Sequence, residues 1–254
     1  SERIVGDIMA RTIMITSGKG GTGKTMFALN FAVTLAKLGK RTAIIDMNTG
    51  LRALDLAAGI ENRSIFDICD IINEVSSIDN VVIRPSYDDK LGIIPACQDI
   101  DSEDIILKGI HSLIDILIEK YHYEYVVIDC PPGIGRVTDA CAEASDDAVI
   151  VLTPDISTLR DADAVEDRLL RRYAINRYYV LNNVMYELID NEVELTPKQI
   201  DLRMKSQLLG IIQTDINIRV SMNVGVPVLK RNTYIAKNFE KMAIRYISSQ
   251  RENR

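Results

Sequence analysis

Basic residues are not in excess in this 254-residue chain: 30 lysines and arginines stand against 36 aspartates and glutamates, a formal net charge of −6. That balance argues against a protein that coats nucleic acid through bulk electrostatics, so DNA is not an expected partner. No apolar run approaches the ~18 residues needed to cross a bilayer. The chain does not open with a basic segment followed by an apolar one, so export is not expected. Only two histidines are present, His111 and His122, and neither has a second ligand at metal-binding spacing; both read as structural or surface residues. The four cysteines, Cys69, Cys97, Cys130 and Cys141, include no C-x-x-C pair. In a chain this large without a leader they read as reduced, buried thiols in the cytoplasm rather than ligands of an iron–sulfur cluster. Linkers rich in proline, glycine or serine, internal repeats and low-complexity tracts are also missing. The expectation is one domain over residues 1–254, with 1–9 an N-terminal extension.

What is present is a sizeable apolar fraction, 47%, distributed in short β-branched runs. These are Ile13 to Thr16, Thr42 to Asp46, Leu91 to Pro95, Tyr125 to Asp129, Ala148 to Leu152, Tyr179 to Asn183 and Leu208 to Ile212. Most are apolar throughout rather than alternating, as parallel strands covered on both faces require. Helical patterns lie between them. Ile105, Ile106, Ile110, Leu113, Ile114, Leu117 and Ile118 share one helix face, with Ser102 placed to cap its start and Glu103 and Asp104 in the first turn. Thr196-Pro197-Lys198-Gln199 has the form of a capping box with proline at the first helical position. Strands alternating with helices predict an α/β fold with a doubly wound, mostly parallel sheet.

Residues 18 to 25 carry the strongest chemical signal. Gly18, Gly23, Lys24 and Thr25 fit G-x-x-x-x-G-K-[ST] between a predicted strand and a helix pattern running from Met26 to Leu38. The spacing predicts a phosphate-binding loop: glycine backbone approaches phosphate oxygens closely, and the helix N-terminus adds positive potential. Lys24 is expected on the β- and γ-phosphates and the Thr25 hydroxyl on Mg²⁺. Asp46 and Asp129 each end a predicted strand, where open α/β sheets bind ligands, and are the expected carboxylates around that metal.

With these residues placed, the chain resembles the MinD/ParA family of deviant Walker A (P-loop) ATPases, whose loop carries an extra lysine near its start. Lys19-Gly20-Gly21-Thr22-Gly23-Lys24-Thr25 matches that variant. Gly50 to Leu56, Ile94 to Asp99 and Thr153 to Asp163 resemble the MinD branch, the regulators of cell-division site placement. The resemblance covers about residues 10 to 248 and implies a homodimer held by ATP, in which Lys19 reaches the nucleotide of the second copy. It implies ATP/ADP and Mg²⁺ as cofactors, bound by Gly18, Lys19, Gly20, Gly21, Thr22, Gly23, Lys24, Thr25 and Met26, with Lys19, Lys24, Asn48 and Asp129 as the catalytic set. Asn182 and Asp215 are implied at the adenine, although Gln213 stands where the family usually has proline. Arg160 and Asp161 are implied as a partner surface for MinC- or MinE-like division regulators.

Two departures stand out. Asn48 replaces an aspartate that helps to position the attacking water; an amide is a far poorer proton acceptor, so hydrolysis is expected to be slow. Beyond Ile247 the sequence has no apolar stripe matching MinD's membrane-inserting tail, and Ile235, Phe239, Met242, Ala243, Tyr246 and Ile247 suit a helix packed on the domain. The protein is therefore expected in the cytoplasm, with a peripheral place at the inner face of the cell membrane left open. The main basic cluster, Arg168 to Arg172 with Arg177, reads as a solvated helix face; the alternative is a DNA contact, which would go with a ParA- or flagellar-regulator-like positioning ATPase, and a nucleotide-binding switch with negligible turnover is a further alternative.

Overall fold

A computed structural model describes residues 4–5, 8–50, 52–61, 63, 65–99, 101–230 and 233–252. Seven strands form one sheet: β1 (Arg11–Thr16), β2 (Thr42–Asp46), β3 (Leu91–Ile94), β4 (Tyr125–Asp129), β5 (Asp147–Leu152), β6 (Asn176–Val184) and β7 (Gln207–Gln213). Their spatial order is β3-β2-β4-β1-β5-β6-β7, and every pairing is parallel. Ahead of the sheet, Ile4–Val5 pairs antiparallel with Ile8–Met9.

Among the described helices, five cover the sheet: α1 (Lys24–Lys37), α2 (Glu103–Glu119), α3 (Arg136–Glu143), α4 (Ile156–Arg168) and α5 (Tyr234–Glu252). Burial explains the unbroken apolar runs. Both faces of the sheet are covered, so successive side chains enter two different cores. Ile13, Ile15, Ile44, Val127, Val149 and Val151 face one layer, which contains α1 and α5. Met14, Ala43, Ile45, Val126, Ile128, Ala148 and Ile150 face the other, with α2, α3 and α4. The α5 stripe lies in the first core: Ile235, Phe239, Met242, Ala243 and Tyr246 are buried there, as the spacing predicts.

The Tyr246 hydroxyl donates to Asp147 Oδ2 at 2.7 Å, while Arg11 gives that carboxylate two N–H bonds of 2.8 Å. A buried carboxylate so completely bonded fixes the C-terminal helix to the foot of the sheet.

Thr42–Asp46 and Tyr125–Asp129 keep the limits read from sequence, and the other five strands depart from them by one to three residues. β6, for instance, starts at Asn176, because its first two polar residues pair with β5 although they do not read as core. Ser102 corrects one expectation. It stands at the start of α2, but its hydroxyl donates to Asp99 O at 2.7 Å instead of accepting a helix N–H. The Thr196 capping box forms as read, at the start of the short helix Pro197–Asp201.

Candidate nucleotide site

Parallel register places the two aspartates. Asp46 ends β2 and Asp129 ends β4, and the two are direct Cα partners; Ile15 of β1 is Asp129's partner on the other side. One residue past Ile15 the chain enters the loop, so the loop and both carboxylates share the carboxyl edge of the sheet. Two glycines of the loop are required by contact. A Cβ on Gly18 would lie 2.3 Å from Asp161 Cβ of α4, and one on Gly23 would lie 2.3 Å from Asn182 Nδ2. Gly23 also has φ of 93°, in the left-handed region, and precedes α1 without any side-chain cap. The leading amides of α1 are therefore left for an anion.

Asp46 and Asp129 are wholly buried. Burial pushes Asp46 up to about 6, with N–H bonds from Asn48 and Leu54 opposing it. Burial and the charge of Asp46 push Asp129 up to about 7, against the pull of Thr25, Lys24 and Asn48. Lys24 is itself buried, which lowers its pKa, and the charge of Asp129 works the other way. Asp129 Oδ1 is buried with no hydrogen-bond partner, and the Thr25 hydroxyl lies beside the same carboxylate. An orphaned anionic oxygen beside a hydroxyl suits a hydrated Mg²⁺, which takes oxygen ligands and keeps several waters. Thr25, Asp46 and Asp129 are the residues that would hold such an ion or its waters.

Asn48 lies between the two acids. Its Nδ2 donates to Asp46 Oδ1 at 2.9 Å and to Asp129 Oδ2 at 3.1 Å, and its backbone N–H donates to Asp46 Oδ1 at 2.8 Å. From sequence it reads as an acceptor for water; the fold also makes it a donor that ties the acids together. Lys19 differs more from its expected role. Its Nζ donates to Ser157 Oγ at 2.6 Å and lies 3.6 Å from Asp155 Oδ1, both on its own chain. Asp155 is the side-chain cap of α4; despite partial burial, bonds from Thr153, Ser157 and Thr158 hold its carboxyl well below the usual range.

Beside the loop, a groove of about 410 Å³ is lined by Met26, Asn182, Gln213, Thr214, Asp215 and Ile216, among others. The fold thus brings Met26, Asn182 and Asp215 together from three distant segments. Asn182 also braces the loop itself, since its Nδ2 donates to Thr22 O at 2.8 Å and ties β6 to the phosphate-binding turn. Asp215 accepts from Asn217 N at 2.7 Å and caps the following helix, Ile216–Val224. Arg160 is exposed and Asp161 half-buried on α4, Asp161 with its backbone against Gly18. Sequence reasoning missed Ser157 and Asp155 as partners of Lys19, because they meet it only across the fold.

Residues 10–165 match the model of an AAA domain. The chain is 34% identical over 222 residues to the septum site-determining protein MinD of Bacillus subtilis (strain 168), covering 87% of this chain and 82% of that one. Among solved structures, a chain of the MinC:MinD cell division protein complex from Aquifex aeolicus superposes with a TM-score of 0.85 at 30% identity, covering 94% of this chain and 96% of that one. The septum site-determining protein MinD of Pyrococcus horikoshii OT3, solved with Mg-ADP, gives a TM-score of 0.82 at 26% identity, covering 94% and 96%.

Proposed function

Because the chain belongs to the MinD family of P-loop ATPases, we propose that it is a slow, Mg²⁺-dependent ATPase whose ATP-bound form pairs with a second copy. The pair then acts as the switch that recruits division-site partners. In this reading the residue 18–26 backbone and Lys24 take the phosphates, and Thr25, Asp46 and Asp129 hold Mg²⁺ and its waters. The base enters the groove beside Met26, Asn182 and Asp215. Asn48 orients the attacking water through its amide oxygen, which accepts a hydrogen bond but is too weak a base to take the proton, so turnover is slow. A single Mg²⁺ would neutralise charge developing on the transferred phosphoryl group.

One observation carries the reading: two buried carboxylates in register beside the loop, one of them with an unpartnered oxygen next to Thr25. The dimer rests on Lys19. Its side chain is 42% exposed and its carboxylate contact is long, so its bonds within the chain are worth about 1 kcal/mol or less and are readily exchanged. Released, it can reach the anion of a facing copy, where each subunit's cation would stabilise the other's transition state. The solved MinC:MinD complex supports a MinC-like partner; a MinE-like partner would share the surface near Arg160 and Asp161. The protein would work in the cytoplasm or at the inner face of the membrane, and the apolar stripe of α5 is already used in the core.

Size-exclusion chromatography with ATP or ADP, on wild type and Lys19→Ala, tests the switch. A dimer that forms with ATP only and disappears in the variant is the expected result. An identical profile in all four runs would leave nucleotide binding without a switch.

A further inference from the structure

The four cysteines are separated in sequence, yet the fold sets them as two neighbouring pairs, Cys69 beside Cys97 and Cys130 beside Cys141. The pairs differ in what surrounds them. At the first, the Asp67 carboxylate joins the thiols, and its oxygen and the two sulfurs all lie within 4.8 Å of one another. All three residues are buried: Asp67 is 6% exposed, Cys69 6% and Cys97 3%. Among the described residues no lysine, arginine or histidine forms an ion pair with Asp67. Among the described residues its oxygens accept backbone N–H groups, from Cys69 at 2.9 Å, from Gln98 at 3.1 Å and from Asp70 in the capping box. A carboxylate oxygen has more than one lone-pair site, so both can still bind a cation.

From this juxtaposition we propose that Asp67, Cys69 and Cys97 form a binding site for a thiophilic divalent cation of the zinc class, separate from the nucleotide site. Two sulfurs and one carboxylate oxygen are a donor set for Zn²⁺ and are unsuited to Mg²⁺. Tetrahedral bonds of about 2.3 Å to sulfur and 2.1 Å to oxygen separate the donors by roughly 3.5–3.8 Å, so closing on a metal takes shifts of about 1 Å or less. The fourth position falls to water or to the Ser102 hydroxyl, which lies beside Cys69.

The scaffold is already built. Ile68 N donates to Pro95 O at 3.1 Å and Gln98 N to Asp67, so both donor-bearing segments are joined without the ion. Free thiols ordinarily hold their protons near neutral pH. Binding is therefore a proton exchange: M²⁺ displaces one proton from each thiol, two sulfur–metal bonds form, and two protons go to solvent. Cys97 O also accepts from Gly50 N at 3.0 Å, two residues past Asn48. An ion here would stiffen the turn that carries Asn48 and raise thermal stability without touching nucleotide.

Cd²⁺ and Zn²⁺ titration of the reduced, nucleotide-free full chain in Mg²⁺-free buffer tests the site. The expected result is one equivalent bound, an ultraviolet thiolate-to-cadmium charge-transfer band, two protons released and a higher unfolding temperature. Cys69→Ser and Cys97→Ala should each abolish the band, Asp67→Asn should weaken binding at least tenfold, and Cys141→Ala should leave it in place. Retention of Mg-ADP binding shows that each variant is folded. No stoichiometric binding, binding without the band, or a band lost in Cys141→Ala but kept in Cys69→Ser would each overturn the proposal.

Discussion

Asn48→Asp tests the geometry of the carboxylate pair most directly. The Asn48 amide gives one N–H to each acid, at 2.9 and 3.1 Å. Hydrogen bonds to charged groups contribute about 1.5–3 kcal/mol each, so loss of both costs about 3–6 kcal/mol. A third carboxylate also puts like charge about 3 Å from each acid, worth roughly 5 kcal/mol per pair at an effective dielectric of 20 if the geometry held. The half-exposed side chain can avoid most of that repulsion by turning to solvent. The hydrogen-bond loss is therefore the better guide. At about 2–4 °C per kcal/mol for a chain of this size, the metal-free variant should unfold roughly 10 °C below wild type. Mg-ADP should close much of that gap, since a divalent cation held at these acids would offset the lost donors. Asn48→Ala removes the donors without adding charge and should fall between the two. Scanning calorimetry in chelator and in Mg-ADP reads all three proteins. A metal-free Asn48→Asp midpoint within about 1 °C of wild type would refute the claim that this amide holds the acids together. In single-turnover assays the same variant gains a general base and should hydrolyse ATP faster; an equal or lower rate would remove Asn48 as the proposed limit on turnover.

The raised acids also set a pH dependence. Asp46 at about 6 and Asp129 at about 7 stay protonated in the folded chain at pH values where the unfolded chain has ionised them. Their contribution to stability is thus full below about pH 4 and is lost as pH rises through 6 to 7, by up to about 1.4 kcal/mol per pH unit for each group. Urea unfolding of metal-free wild type, compared with Asp129→Asn from pH 4.5 to 7.5, should show the wild-type advantage shrinking as pH rises; a constant difference would contradict it. Tyr246→Phe removes one donor from buried Asp147 and should cost about 1–3 kcal/mol in urea unfolding, without changing nucleotide affinity. Gly18→Ala places a methyl group against the Asp161 backbone and should cost about 1–3 kcal/mol while weakening Mg-ADP binding, measured by calorimetric titration.

The sequence by itself determined the elements whose signals are local. All seven strand runs of the sheet were legible because burial on both faces leaves no polar alternation, and the phosphate loop was legible because its chemistry needs fixed residue types at fixed spacing. Asp46 and Asp129 were readable as strand ends for the same reason. Tertiary structure alone decided what those residues meet. It set the register that makes the two acids neighbours and turned the Asn48 amide toward both. It also brought Lys19 to a serine 138 residues away and sorted four scattered thiols into two pairs. Strand order and the path of each crossover fix such contacts, and neither leaves a mark on the spacing of residues along one segment. A local pattern reports which side of an element is buried; only the packed sheet determines which distant atom waits there.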